Sequence, residues 1–545
     1  MLSKLRSSVD KITVICRLRA AHLDSAVQPL PIPEVRKPDG KRKGAEYHDV
    51  SITEFTQSLH PDLPDTTLWG YDGTFPGPII EGHRNQRLKV QFDNSQLPTS
   101  HLFHVDERVN GTTPEDYPEY DGPVPEVRTV THFHGLNVEP ESDGQAEMWK
   151  SPTGVSGPRF VKHVHDIPNR QRRLTSTYHD HALGISRLNV YAGLAGFYFI
   201  RSQKEERLDL PSGGYEIPLM LQDRAFNEDG SLHYPDHFVP NFAGDTAVVN
   251  GAVWPYLEVE PRRYRFRVIN QSNGRTFNLR LRNESGPNVP LLYQIAPDHG
   301  FLDSVVSIGP TGDIDSLLLS PFERADVVVD FSEYAGATLT VTNNAEFPFE
   351  GEIAGSDLGE LLQIRVTDPS DEPTDTSADP TSLNLPTNHV ANENAAKRTR
   401  HMTLRMSPVE GLPTHLLNGR GFFEETMVKP QLGTTEIWEF ENKTHHTHPI
   451  HLHLVEFRVI GRGPDGTQEP APNERGGKDV VRVNPSEKVR IAVKFGDFAG
   501  QFPWHCHILE HEEQEMMRPF EVVTGDSGSG NEPENPGRGN GPRKG

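Results

Sequence analysis

The stretch FPWHCHILEHEEQEMM, residues 502–517, sets a cysteine between two histidines and follows it with His511, Met516 and Met517. Residues i and i+2 of an extended chain face the same way, and the residue between them faces the opposite way. A strand over 505–507 therefore puts His505 and His507 on one face and Cys506 on the other. Ligand-type groups on both faces of a single strand imply two adjoining sites. The chain beyond Cys506 then has to turn for His511 and a methionine to come back to it.

The same spacing recurs as HFH at 132–134, HDH at 179–181 and HLH at 451–453. One such pair is commonly two ordinary strand histidines. Four pairs, one with a cysteine at its centre, offer eight imidazoles plus a thiolate and point to metal. Imidazole suits copper, zinc, iron and nickel alike, whereas a thiolate with two imidazoles and a weak methionine sulfur is the blue-copper electron-transfer set. Cys506, His511 and Met516 supply three members. His448, three residues ahead of the 451/453 pair and out of its alternation, supplies the fourth. Zinc sites take three or four protein ligands, too few for these histidines and a cysteine. HVH at 163–165 and THH at 444–446 have no partner set and are expected to be structural or at the surface.

The 545 residues exceed what one hydrophobic core serves, which predicts several domains. With 46 Pro, 47 Gly and short alternating runs in place of long 3.6-period stripes, the chain reads as all-β. YHDVSITEFTQSL, QRLKVQFDN, YLEVEPRRYRFRVIN, NLRLRN, ADVVVDF, TTEIWEFEN, EFRVIGR, KVRIAVKF and PFEVVTG read as strands. Residues 1–45 read as an irregular, basic N-terminal extension. Residues 46–203, 204–367 and 399–525 read as three β domains, with a polar, proline-bearing linker at 368–398 that is not expected to pack. Residues 526–545 have the composition of a disordered tail.

A net charge of −23 argues against nucleic acid or an anionic membrane as partner. No run approaches the ~18 apolar residues of a membrane span, and the short apolar patch near residue 14 is no secretory signal. A soluble protein is expected, cytoplasmic or associated with a spore coat, with secretion as the alternative. Two cysteines, at 16 and 506, exclude a disulfide framework.

LWGYDGTFPGPIIE, YHDHALGISRLNVYAGLAGFY, NGAVWPYLEVEPRRYRFRVIN, HPIHLHLVEFRVI and WHCHILEHEEQEMMRPF resemble the multicopper oxidases over about residues 30–525. The motifs are similar above all to those of the bacterial spore-coat laccase group, with bilirubin oxidase and phenoxazinone synthase alongside. The resemblance implies three cupredoxin-like Greek-key β-barrel domains and four copper ions. A type 1 copper would take His448, Cys506, His511 and axial Met516, the family spacing choosing Met516 over Met517. A type 2 copper would take His132 and His451. Two type 3 coppers would take His134, His179, His181, His453, His505 and His507. Asp143 and Glu512 match carboxylates that deliver protons, which reduction of O2 to water consumes.

The implied activity is one-electron oxidation of phenols or aromatic amines coupled to four-electron reduction of O2, by a monomer. A bilirubin or metal-ion (Cu(I) or Mn(II)) oxidase and a copper-binding structural coat protein are the alternatives. A methionine-rich segment, the cue for a metal-ion oxidase, is absent. The sequence departs from the spore-coat pattern in two places. Its middle-domain segments NFAGDT and NNAEFPFEGE carry no cysteine, and His445 and His446 replace an Arg-Gly pair expected near the substrate pocket.

Overall fold

The computed structural model describes residues 23–350, 358–368, 375–387, 391–409 and 412–525. It is built from six sheets arranged as three successive two-sheet sandwiches. In the first, strands Ala45–Gln57, Thr66–Tyr71, Leu88–Asp93 and Val164–Ile167 face a sheet of Gly77–His83, Ala195–Arg201, Leu174–Asp180 and Thr131–Phe133. Val50, Ile52, Leu88 and Val90 from one sheet meet Ile80, Phe133, Tyr178 and Tyr198 from the other, which closes the first core. The period-2 pattern seen in the sequence is the reason: one side of each strand is apolar and must be covered.

The second sandwich packs a seven-stranded sheet on a five-stranded one, between Glu216–Arg224 and Glu360–Val366. The third packs Ala396–Val409, Leu412–Leu417, Thr435–Asn442, Lys488–Lys494 and Phe457–Gly461 on Val480–Val483, His448–Leu452, Gly500–Cys506 and Met517–Val522. Its core joins Trp438, Phe440, Val489 and Ile491 to Ile450, Trp504 and Phe520. Each predicted strand motif falls on or across one or two of these strands. Parallel neighbours far apart in sequence, such as Glu46 beside Leu88 and Arg398 beside Glu436, show crossovers that sequence periodicity does not encode.

Two segments read as irregular carry more structure than their composition suggests. Leu30 and Glu34 enter backbone hydrogen bonds with Tyr256 and Ile79, so the lead-in laces the first two sandwiches together. In the stretch 368–398, Asp375 accepts hydrogen bonds from Arg263, and Pro380 is buried. Composition could not show this, because the partners lie more than a hundred residues away. The predicted tail, residues 526–545, and Cys16 lie outside the described residues. No helix among the described residues is long and apolar enough to cross a membrane.

The first two sandwiches also share a buried ion network: Glu205 binds Arg265 and Arg267, and Asp326 binds Arg173 and Arg265. Such charges hold an interface rigidly because losing one partner strands the other in low dielectric.

Candidate metal centre

Two pairs of antiparallel strands bring the H-x-H motifs together. In the first sandwich His132 lies across from His179, and in the third His451 lies across from His505. The two pairs face each other, so eight rings from opposite ends of the sequence meet in one buried space.

They sort into smaller groups by nitrogen distance. His181 Nε2 and His453 Nε2 lie 3.4 and 3.1 Å from His505 Nε2. His507 Nε2 lies 3.3 Å from His134 Nδ1, with His179 in the same group. His132 and His451 form a further set with His134.

The other nitrogen of most rings is tied down. His132 Nδ1 donates to the Asp143 carbonyl at 2.5 Å, His451 Nδ1 to the Asp479 carbonyl at 2.8 Å and His179 Nδ1 to the Asp180 carbonyl at 2.8 Å. Since a carbonyl only accepts, these contacts leave each Nε2 as a bare lone pair. Nε2 of His132, His179 and His451 has no hydrogen-bond partner although fully buried. Orphaned, converging lone pairs backed by carbonyls are the arrangement that metal-binding histidines adopt, so the residues fit a metal cluster. Burial, reinforced by the neighbouring rings, holds His132, His179, His451, His453 and His507 well below the usual histidine range, which keeps them neutral.

Cys506 faces away from this space, as the alternation predicts. Its Sγ is 3.5 Å from His448 Nδ1 and 3.6 Å from His511 Nδ1. The short helix Leu509–Glu513 turns the chain back, and Met516 joins the same core as Cys506 while Met517 packs into a different one. Burial pushes the thiol well above its usual pKa, so a thiolate here requires a cation beside it.

Both acidic residues singled out in the sequence border the eight-ring space. Asp143 Oδ2 is 2.8 Å from His453 Nδ1, its Oδ1 lies 3.7 Å from His132 Nδ1 without a hydrogen bond, and burial raises its pKa well above the carboxylate range. Glu512 Oε2 is 2.9 Å from His505 Nδ1. Burial raises the Glu512 carboxyl, yet the neighbouring His505 and His181 outweigh it and hold it below the ordinary value.

The structure adds residues that the sequence did not single out. Asp479 contacts His134 Nε2 at 3.1 Å and His299 Nε2 at 2.7 Å, and it takes a two-pronged ion pair from Arg324. Burial raises this carboxyl, but Arg324 dominates and keeps it ionised. Gly135, with φ +72°, makes room: a Cβ there would sit 2.1 Å from Asp479 Oδ2. Only the glycine after HFH hinted at such a close approach. His415 also stands beside His511, with ring centroids 4.0 Å apart. His165 bonds the Ser142 carbonyl and plays a structural part, as expected. His446 departs from expectation: its ring is 4.7 Å from that of His448, next to the cysteine site.

Comparison with known proteins agrees with this geometry. A family model described as multicopper oxidase matches residues 378–526. The chain is similar to a laccase of Haloferax volcanii, 61% identical and covering 92% of this chain and 85% of the relative. It is 40% identical to a laccase of Bacillus subtilis, over 92% of this chain and 99% of that one. A solved structure of a variant of the McoA multicopper oxidase from Aquifex aeolicus superposes with a TM-score of 0.73 at 26% identity, covering 91% and 99% of the two chains. Sequence similarity along nearly the whole chain, three cupredoxin-like sandwiches and a histidine cluster built to hold metal lead to one conclusion: the chain belongs to the multicopper oxidase family and binds copper.

Proposed function

We propose that this protein is a laccase-type oxidase with four coppers, which oxidises phenolic or aromatic amine donors one electron at a time and reduces O2 to water. The observation that carries the reading is the two-faced strand at 505–507. Cys506 meets His448 and His511 on one side, and His505 and His507 join the histidine cluster on the other.

In this reading His448, Cys506, His511 and Met516 hold the type 1 copper, and His132 and His451 the type 2 copper. The type 3 pair divides into His134, His179 and His507 on one side and His181, His453 and His505 on the other, as the nitrogen distances group them. Copper, when bound, supplies reversible one-electron chemistry and the reduction of O2. The chain contributes the rest. The peptide from His505 to His507 is a covalent bridge between the sites. Carbonyl and carboxylate contacts hold the rings in one orientation. Burial excludes water from the cluster.

Asp143 and Glu512 supply protons. They contact different rings and are shifted in opposite directions, an arrangement that separates a proton-holding group from a proton-accepting one. In the same reading the domains run over 46–203, 204–367 and 399–525, one to a sandwich, and the enzyme acts as a monomer.

Oxygen uptake by the copper-loaded protein tests this, with a phenol, bilirubin, Cu(I) and Mn(II) offered in parallel. One O2 consumed per four electrons from the phenol supports the proposal. A blue protein that consumes no O2 with any donor is a structural copper protein instead. Uptake confined to bilirubin or a metal ion replaces the donor class.

A further inference from the structure

Two histidines beside the cysteine site have no place in the proposed copper set. His415 projects from the strand Leu412–Leu417, and His446 lies in the loop before His448. His415 is 2% exposed. Its ring centroid is 5.1 Å from those of His446 and His448, and that of His446 is 5.0 Å from His511. One ring nitrogen from each of His415, His446, His448 and His511 falls within 4.8 Å of the others.

The inner nitrogens of His448 and His511 are turned to Cys506, and the outer nitrogen of His448 contacts Thr444 Oγ1 at 2.7 Å. His415 Nε2 and His446 Nε2 are buried without a hydrogen-bond partner. Two orphaned imidazole nitrogens in one buried cluster carry a desolvation cost that an ion shared between them would remove. No carboxylate belongs to the group. Uncharged nitrogen ligands of this softness suit a d10 transition-metal ion and not a hard, oxygen-seeking cation.

We propose that His415 and His446 form a separate site for a closed-shell d10 metal ion, lying against the edges of His448 and His511, where a bound ion obstructs the reducing substrate. The inference rests on the reading of His448, Cys506 and His511 as the type 1 site. It adds a regulatory ligand that competes with organic donors at the face through which they would deliver electrons. The His445–His446 pair, which departs from the spore-coat pattern, thereby acquires a function in its second member.

The test is a titration of the copper-loaded enzyme with Ag(I) in chloride-free buffer and, separately, with Zn(II). Bound metal is counted after equilibrium dialysis while the blue band is recorded. The parent is expected to take up one equivalent more than the H415Q/H446Q double variant in at least one arm, and the arm that saturates identifies the ion's charge. Each single glutamine variant should bind at least about tenfold more weakly. In the parent the ion should raise KM for a phenolic donor and leave kcat unchanged, and this effect should vanish in the double variant. A blue band retained in the variants shows that their fold and type 1 site survive. Equal uptake by parent and double variant in both arms would overturn the inference. A parent that shows no blue band at all would instead remove the type 1 reading on which it stands.

Discussion

The two histidine clusters use one residue type to opposite ends. Around the eight-ring space, Asp143, Asp180, Asp479 and Glu512 approach the outer nitrogens of six rings through carbonyl or carboxylate oxygens. At the cysteine site the outer nitrogen of His448 meets only a threonine hydroxyl, and those of His415 and His446 meet no hydrogen-bond partner. A ring clamped at its far nitrogen has one orientation and one tautomer, as multi-metal chemistry with O2 demands. A ring whose far nitrogen lacks a clamp keeps an unmet bonding capacity, here inside the fold, since His415, His448 and His511 are all buried. The contrast separates a clamped cluster from an unclamped one.

The largest effect expected is at the bridge between them. Cys506→Ser should abolish the blue band and donor oxidation altogether while leaving most of the fold intact, because oxygen cannot replace the thiolate of a blue site. Absorption spectra and circular dichroism of the purified variant check this, and a variant that keeps its colour would break the comparison at its root.

Next comes the clamp. Asp479→Asn removes the charge that aligns His134 and faces Arg324, and it should weaken copper retention in the cluster by about 10–100-fold. Copper should be lost from the cluster before the blue band fades. Copper analysis alongside paramagnetic resonance reads the difference. Simultaneous loss of both would show that Asp479 supports the fold as a whole and does not serve one cluster.

Smaller again is the proton supply. Glu512→Gln should slow reoxidation by O2 by about 100-fold and leave reduction by a phenol nearly unchanged, the scale at which a positioned acid–base group acts. Stopped-flow traces of the two half-reactions separate them. Equal slowing of both would place Glu512 outside proton delivery.

The smallest effect concerns the scaffold away from either cluster. Glu474 is buried against Arg462 and Arg482, which outweigh the opposing effect of burial and depress its pKa from 4.5 to about 2. A carboxylate with a lowered folded pKa contributes stability above its unfolded value and loses it as pH falls through the folded one. Thermal melts should therefore show a stability decline between pH 4.5 and about 2 that is shallower in Glu474→Gln. Parallel slopes in the two proteins would remove Glu474 from the acid response.

Much of this was readable in the chain. Strand positions such as Thr435–Asn442 and Lys488–Lys494 follow from alternation, since a half-buried strand must repeat every two residues. The opposite facing of Cys506 and its neighbours follows from the same period. Asp479, His299, Arg324 and His415 carried no such mark. Each stands alone among unremarkable neighbours, and its part depends on which distant segment the fold delivers to it. Arg324 and Asp479, 155 positions apart, meet only because the second and third sandwiches dock.

Local periodicity thus determined what kind of fold this is, which residues pair on which face and what metal chemistry they suit. That information lies within a few bonds of each residue. The tertiary structure alone decided which rings share an ion-sized space, which nitrogens are clamped and which are left bare. Those are properties of non-local packing, where burial and hydrogen-bond partners arrive from strands hundreds of residues away.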